Sequence, residues 1–232
     1  HLAVGAPDGA GPAVTAVPRE LVFFGRLETR KGLELFCAAL DRLVAAGVGA
    51  ELAVTFLGKS GVVAGQTAER YLNARATAWP FRWQLLTDRD HRQALDYLRQ
   101  PGRLAVIPSL AENSPYTVLE CLAASVPFLA SAVGGIPELL TAEDLVPVND
   151  AAALARKIDD VLSNPQRMHA MSERNLAIAR SYHTDALHDR RQEFYWYVRH
   201  ITEAWVTSRS AHSAPCDPRS ASNHISSGDM SQ

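Results

Sequence analysis

Short apolar runs alternate with longer segments of helical periodicity through most of the chain. The apolar runs predict strands at 21–24, 52–57, 82–86, 104–108, 127–130 and 145–148. Segments in which apolar residues recur every three or four positions predict helices at 31–46, 62–77, 90–100, 115–125, 136–140, 151–163, 165–181 and 184–206. Strands built almost entirely from Val, Leu, Phe and Ile are typical of sheets covered on both faces. The pattern therefore predicts an α/β fold: a doubly wound, parallel, six-stranded Rossmann-like sheet followed by C-terminal helices.

The order of the strands decides where a ligand would bind. Pro147 removes a backbone donor from the last run, which favours an edge position for that strand. In the common order 3-2-1-4-5-6, ligands bind beyond the carboxyl ends of the first and fourth strands. Two loops would then flank the site, GRLETRKG at 25–32 and SLAENSPYT at 109–117.

The two ends of the chain differ in composition from its middle. Residues 1–18 are mostly Gly, Ala, Pro and Val and are predicted to be a linker, so the domain extends from 19 to 206. Residues 207–232 contain eight serines and almost no large apolar side chain, which predicts a disordered tail. The chain begins with His1, which leads us to expect a piece of a longer protein.

Overall charge narrows the kinds of partner that are expected, and the cysteine content indicates the cellular location. The chain has 23 basic and 25 acidic residues, a net charge of −2 and a pI near 6.5, so neither nucleic acid nor an anionic membrane is an expected partner. No apolar run approaches the roughly 20 residues that cross a bilayer. Cys37, Cys121 and Cys216 lie far apart without metal-ligand spacing, which favours a reducing, cytoplasmic location.

The loop after the first predicted strand carries three cations beside glycines. Arg26, Arg30 and Lys31 lie between Gly25 and Gly32, immediately before a predicted helix. Cations are unfavourable at a helix N-terminus, and a bound phosphate would relieve this conflict. A solvated turn with its cations in water remains the alternative.

The loop after the fourth predicted strand joins a helix start to two carboxylates. Ser114 and Pro115 predict an N-cap followed by Pro at the first helical position, with the amides of about residues 116 and 117 facing the ligand end. Glu112 precedes that start and Glu120 lies within the apolar segment VLECLAA. A carboxylate among apolar residues either faces solvent or holds a polar group, and sugar or ribose hydroxyls would suit. The alternative is that Glu112 and Glu120 are ordinary surface residues without a ligand.

Together these segments resemble the donor-binding half of the family 4 retaining glycosyltransferases, which have the glycosyltransferase B fold of two Rossmann-like domains. The E-x7-E motif of that family matches Glu112 and Glu120, its G-R…K-G element matches Gly25, Arg26, Lys31 and Gly32, and its GGIPEL segment matches 134–139. The three elements occur in the family's order, and the resemblance covers roughly residues 20–205.

The resemblance implies a site for a nucleotide diphosphate sugar, with no metal and no separate cofactor. Arg26 and Lys31 would hold the diphosphate, Glu112 the donor sugar and Glu120 the ribose. Hexosyl transfer would retain the anomeric configuration, and Arg26, Lys31 and Glu112 would form the catalytic set. The further binding positions are Gly25, Asn113, Ser114, Pro115, Tyr116, Thr117 and Glu120. Gly58, after the second predicted strand, is a further candidate that would let the backbone approach the nucleotide, and a plain turn is the alternative there.

The resemblance also implies that an N-terminal Rossmann-like domain, which would supply much of the acceptor site, is absent from these residues. The isolated domain would then bind donor and transfer sugar poorly or not at all. The base, the donor sugar and the acceptor stay open. Two other functions remain: a non-catalytic sugar-nucleotide-binding module and a sugar-nucleotide epimerase. The aromatic residues of the last helix, at 194–205, would pack either on their own domain or on the absent one.

Other ligand motifs are incomplete. Gly58-Lys59-Ser60 resembles the end of a P-loop, but Ala53 stands where the motif needs glycine. The sequence has no G-x-G-x-x-G after the first strand, no H-E-x-x-H and no G-x-S-x-G. Trp79, Phe81 and Trp83 surround the start of the third predicted strand, away from the ligand end, and are expected to pack in the core or at an edge.

Overall fold

A computed structural model describes residues 18–49, 51–182 and 184–212, and the chain divides into two units at residues 184 and 185. The first unit contains a central sheet and its covering helices. Its strands are β1 (Glu20–Phe24), β2 (Ala53–Leu57), β3 (Val62–Val63), β4 (Gln66–Thr67), β5 (Arg82–Leu86), β6 (Arg103–Ile107), β7 (Phe128–Ser131) and β8 (Leu145–Val146). Its helices are α1 (Leu33–Ala45), α2 (Ala68–Ala76), α3 (His91–Leu98), α4 (Tyr116–Ala123), α5 (Ile136–Leu139), α6 (Ala151–Ser163) and α7 (Pro165–Ser181).

The central sheet has six parallel strands in the order β5-β2-β1-β6-β7-β8. Numbered along the chain, this is 3-2-1-4-5-6, so the predicted fold class and the expected strand order are both confirmed. Leu21 of β1 is in register with Val54 of β2 and Leu104 of β6, which places β1 and β6 at the centre. β8 forms one edge and ends at Val146, directly before Pro147, as the missing backbone donor requires.

Both faces of the sheet are buried. Along β1, Leu21 and Phe23 enter the hydrophobic cluster that includes α1 and α6, whereas Val22 and Phe24 enter the cluster that includes α4. This alternation within an entirely apolar strand is what two covered faces require. Cys37 and Cys121 belong to these clusters, and burial raises the pKa of the Cys37 thiol to about 12. Cys216 lies outside the described residues.

The aromatic residues near β5 are structural, as predicted. Trp79 and Phe81 are buried and stack on each other, with ring centroids 5.4 Å apart. Trp83 packs edge-on against Phe56 of β2.

The predicted helix 62–77 is wrong in its first part. A short antiparallel hairpin of β3 and β4 occupies residues 62–67, and α2 begins only at Ala68. Gly65 has a positive φ of 76°, which suits a turn and opposes a continuous helix. Thr67 then caps α2 by accepting a hydrogen bond from the amide of Arg70 at 3.3 Å.

A buried polar cluster lies on the sheet beneath α3, at the amino end of β1. The Glu20 carboxylate accepts hydrogen bonds from the hydroxyls of Thr55 and Tyr97 and from Nε of Arg103, the last at 2.6 Å. The Arg103 guanidinium also lies 3.5 Å from the centroid of the Tyr97 ring. Burial by itself would raise the pKa of Glu20, but these hydrogen bonds lower it below its ordinary value.

In its described part the second unit consists of α8 (Thr184–His212) from Asp185 onward, and this helix continues past the predicted end at 206. Its aromatic side chains are largely exposed, with values between 56% and 62% for Phe194, Tyr195, Trp196, Tyr197 and Trp205. None of the helices in the described residues has the length and apolar character needed to cross a bilayer. Nearly all of the predicted linker and most of the predicted tail, from 213 onward, lie outside the described residues.

Candidate functional site

The backbones that follow β1 and β2 approach each other closely at the carboxyl edge of the sheet. Gly25 has φ of 150° and its amide donates to the carbonyl of Leu57 at 3.1 Å. Gly58 has φ of 154°, and a Cβ there would lie 2.6 Å from the carbonyl carbon of Gly25. The amide of Leu27 donates to the carbonyl of Lys59 at 2.9 Å, which continues the pairing past the strands. Gly25 and Gly58 are therefore neighbours, and the missing side chain of Gly58 lets the two backbones pack this closely.

The centre of the site is an ion pair between the two predicted loops. The Lys31 ammonium donates to Oε1 of Glu112, 81 positions further along the chain. The Glu112 side chain is only 3% exposed and that of Lys31 is 16% exposed. Ser109, at the carboxyl end of β6, donates its hydroxyl to the same Oε1 at 2.7 Å. The sequence motifs are thus joined at the carboxyl ends of β1 and β6.

Backbone contacts hold these loops at a fixed separation. Gly32 has φ of 77°, and a Cβ there would lie 2.7 Å from the carbonyl carbon of Pro108. The amide of Leu110 donates to the carbonyl of Arg30 at 2.9 Å. Gly134, in the GGIPEL segment, packs so closely on the backbone carbonyl of Glu112 that a Cβ would overlap it. Three loops therefore converge on Glu112.

The remaining cations of the first loop face outward. The Arg26 side chain is 63% exposed and its Nη1 lies 3.8 Å from Oε2 of Glu28. Arg30 is 55% exposed and its Nη2 lies 3.2 Å from Oε1 of the same carboxylate. Because exposed ion pairs of this kind contribute little, both guanidinium groups are free to reorient toward an anion.

The start of α4 differs from the prediction. Pro115, rather than Ser114, is the residue that precedes the helix, and the Tyr116 amide donates to the Ser114 carbonyl at 2.8 Å. The tight turn made by proline delays the helix and occupies one of the two amides expected to face a ligand. The Thr117 amide has no backbone acceptor among the described residues. Asn113, Ser114 and Tyr116 are exposed around it.

Glu120 lies on α4, half-buried, beside the first turn of α3. Nδ1 of His91 lies 3.4 Å from its Oε1. Burial raises the pKa of the Glu120 carboxyl, and the nearby His91 partly offsets that rise. Glu120 pairs with His91, whereas Glu112 pairs with Lys31, so the two acids of the motif occupy separate environments.

Sequence reasoning missed two residues of this site. Ser109 comes directly after a strand end and three positions before Glu112, a spacing that could have indicated it. His91 follows β5, and nothing in its local pattern links it to α4. Within the described residues, no group of three or more His, Cys, Asp and Glu side chains could hold a metal ion.

Fold and site together define a doubly wound α/β class of domain, with its polar residues at the point where the strand order reverses, the usual place for a ligand in such folds. The family model of glycosyl transferases group 1 matches residues 15–177, and the chain belongs to this family.

Individual relatives agree with this assignment. The chain is 32% identical to the glycogen synthase of Mycobacterium tuberculosis over 152 residues, which cover 64% of this chain and 35% of that protein. Among solved structures it resembles the sucrose-phosphate synthase of Thermosynechococcus elongatus, with a TM-score of 0.60, 21% identity, and coverage of 79% of this chain and 46% of that one. It also resembles Anabaena HepE in complex with UDP and glucose, with a TM-score of 0.59, 18% identity, and coverage of 80% and 49%.

These two solved structures share the fold. The chain spans about a third of the length of the glycogen synthase and about half of each solved chain.

Proposed function

We propose that the chain is the donor-binding domain of a glycosyltransferase that uses a nucleotide diphosphate sugar. The observation that carries the proposal is the Lys31–Glu112 ion pair, which places a partly exposed cation and a nearly buried carboxylate together at the carboxyl ends of the central strands. A diphosphate needs cations, and a sugar needs hydrogen-bond acceptors for its hydroxyls. The site offers both within one side-chain length.

The diphosphate is proposed to bind between the first loop and the start of α4. Lys31 would approach it from the sheet and Arg26 from the solvent side. The Thr117 amide supplies a backbone donor near the same place. At Gly25, where a Cβ would meet nothing nearer than the Lys31 Cβ at 4.0 Å, the backbone leaves room for a ligand beside Lys31.

Catalysis would follow from the charge that develops on the leaving group. When the bond between sugar and phosphate breaks, the nucleoside diphosphate gains negative charge, and cations placed against it stabilise that charge more than they stabilise the bound donor. We propose that Arg26 and Lys31 do this without a metal ion. Glu112 would orient the donor sugar, Glu120 would accept from the ribose, and transfer would retain the anomeric configuration.

The acceptor is proposed to bind largely on a second domain. The fraction of the relatives that the chain covers supports this view, since its match is confined to about a third to a half of each. The isolated chain is expected to bind donor with little transfer. Joined to such a domain, it should form a glycoside whose anomeric configuration, read by NMR, equals that of the donor.

Anabaena HepE was solved with UDP and glucose, and this favours a nucleotide-sugar ligand for the similar fold here. The test is calorimetric titration of the chain with UDP, ADP and GDP, in EDTA and then in magnesium, with Glu120→Ala alongside. The proposal expects one nucleotide to bind equally well in both buffers and more weakly to the variant. A folded chain that binds none of the three would refute it.

A further inference from the structure

Ser109 is a buried hydroxyl that the proposed donor site has not yet used. It is 1% exposed and lies two residues beyond the end of β6. Its hydroxyl donates to Oε1 of Glu112 at 2.7 Å. A buried serine in a loop commonly donates to a nearby backbone carbonyl, whereas this one contacts the carboxylate proposed to bind the sugar.

The two oxygens of Glu112 are in different situations. Lys31 and Ser109 both donate to Oε1. No donor reaches Oε2 among the described residues, and Oε2 is not among the fully enclosed polar atoms without a partner. The carboxylate is thus held by one oxygen and presents the other.

The backbone of Glu112 is fixed separately. Gly134 packs against its carbonyl, which limits movement of the main chain. What remains adjustable is rotation of the carboxylate about its own side-chain bonds. A single ammonium on a flexible stem constrains that rotation poorly, whereas a second donor from a rigid position defines it.

We propose that Ser109 is a positioning residue, whose hydroxyl together with Lys31 holds Oε1 of Glu112 so that Oε2 faces a hydroxyl of the donor sugar. This inference rests on the proposed function and assigns different roles to Lys31 and Ser109. Lys31 serves both the diphosphate and Glu112. Ser109 serves the sugar alone.

The test compares matched pairs of ligands that differ only in the sugar: UDP with UDP-glucose, ADP with ADP-glucose and GDP with GDP-mannose. The quantity of interest is the ratio of the affinity for the sugar ester to the affinity for its diphosphate. Ser109→Ala should lower this ratio about tenfold while changing diphosphate affinity by less than about twofold. Ser109→Cys, which keeps the volume and donates weakly, should behave like Ser109→Ala.

Two controls separate positioning from general damage. Ser172→Ala removes another buried hydroxyl, on α7, and should leave the ratio unchanged. Lys31→Met should lower the affinity for both members of each pair.

If the wild-type chain binds no pair, or Lys31→Met leaves binding unchanged, the proposed function fails. If Lys31→Met behaves as expected while Ser109→Ala leaves the ratio unchanged, or weakens both ligands in equal proportion, the role of Ser109 is refuted. A wild-type ratio near one, with no contribution from the sugar, would refute it as well.

Discussion

The ion pair between Lys31 and Glu112 makes a sharp prediction about stability. In Lys31→Met the side chain keeps its length and loses its charge, so the Glu112 carboxylate, 3% exposed, is left with the single hydrogen bond from Ser109. Removing one partner of a buried pair costs about 3 to 5 kcal/mol. Because Lys31 is 16% exposed and the Ser109 bond remains, we expect a cost at or below the lower limit of that range, about 2 to 3 kcal/mol.

The expected loss is large enough to measure by thermal or urea unfolding. At roughly 3 °C per kcal/mol for a domain of this size, Lys31→Met should lower Tm by about 6 to 9 °C. Adding Glu112→Gln removes the uncompensated charge and keeps an acceptor for Ser109. The double variant should therefore return to within about 1 kcal/mol of the wild type.

An exposed cation provides the control. Arg92 lies 3.9 Å from Asp96 on the surface of α3 and is 92% exposed, so Arg92→Met should change stability by less than about 0.5 kcal/mol. The reasoning is refuted if Lys31→Met is as stable as the wild type. It is equally refuted if the double variant is no more stable than the single one, because the cost would then not come from a stranded carboxylate.

Three further predictions concern loop spacing and pH. Gly32 and Gly65 have nearly the same positive φ, 77° and 76°, but only at Gly32 would an added Cβ meet backbone. In urea unfolding, Gly32→Ala should therefore lower the free energy of unfolding by at least about 3 kcal/mol and Gly65→Ala by about 1 kcal/mol. Equal losses would contradict the close approach of the two loops. Because the pKa of Glu20 is lowered in the folded state, this residue stabilises the fold above its ordinary pKa near 4.5, and the stabilisation is lost as pH falls through the folded-state pKa. Glu20→Gln should therefore flatten the acid side of the plot of unfolding free energy against pH. A plot of unchanged shape would contradict this. Because the pKa of Glu120 is raised, nucleotide affinity should fall on acidification at a higher pH than an ordinary glutamate would give. In calorimetry this fall in affinity should occur at a still higher pH in His91→Ala and should be lost in Glu120→Gln. The same pH dependence in the wild type and both variants would exclude Glu120 as its source.

Much of the fold follows from local pattern. The order of apolar runs and helical segments predicts the six strands, and Pro147 correctly predicts an edge. The hairpin at 62–67 was missed because two-residue strands carry too little periodicity to be distinguished from a helix start, and only Gly65 signals the turn. The delayed start of α4 was missed because Ser114 and Pro115 form a favourable capping pair, whereas in the structure Pro115 forms a tight turn before the helix begins.

The sequence predicts which residues belong to the site but not how they contact each other. The motifs indicate Lys31 and Glu112, and the strand order brings their loops together, yet nothing in the sequence shows that these side chains bind each other. That contact depends on the packing of Gly32 against Pro108. His91 and Glu120 become neighbours because α3 and α4 lie on the same face of the sheet, which is likewise a tertiary property.

The central claim is that a nucleotide diphosphate binds at the carboxyl ends of β1 and β6. The most direct measurement is an amide NMR titration of the chain with the diphosphate that binds most tightly, recorded in EDTA. We predict that the shifts concentrate at residues 25–32 and 109–117, and that they weaken in Lys31→Met. Shifts confined to the opposite end of the strands, around Glu20 and Arg82, would contradict the account, as would no shift at all.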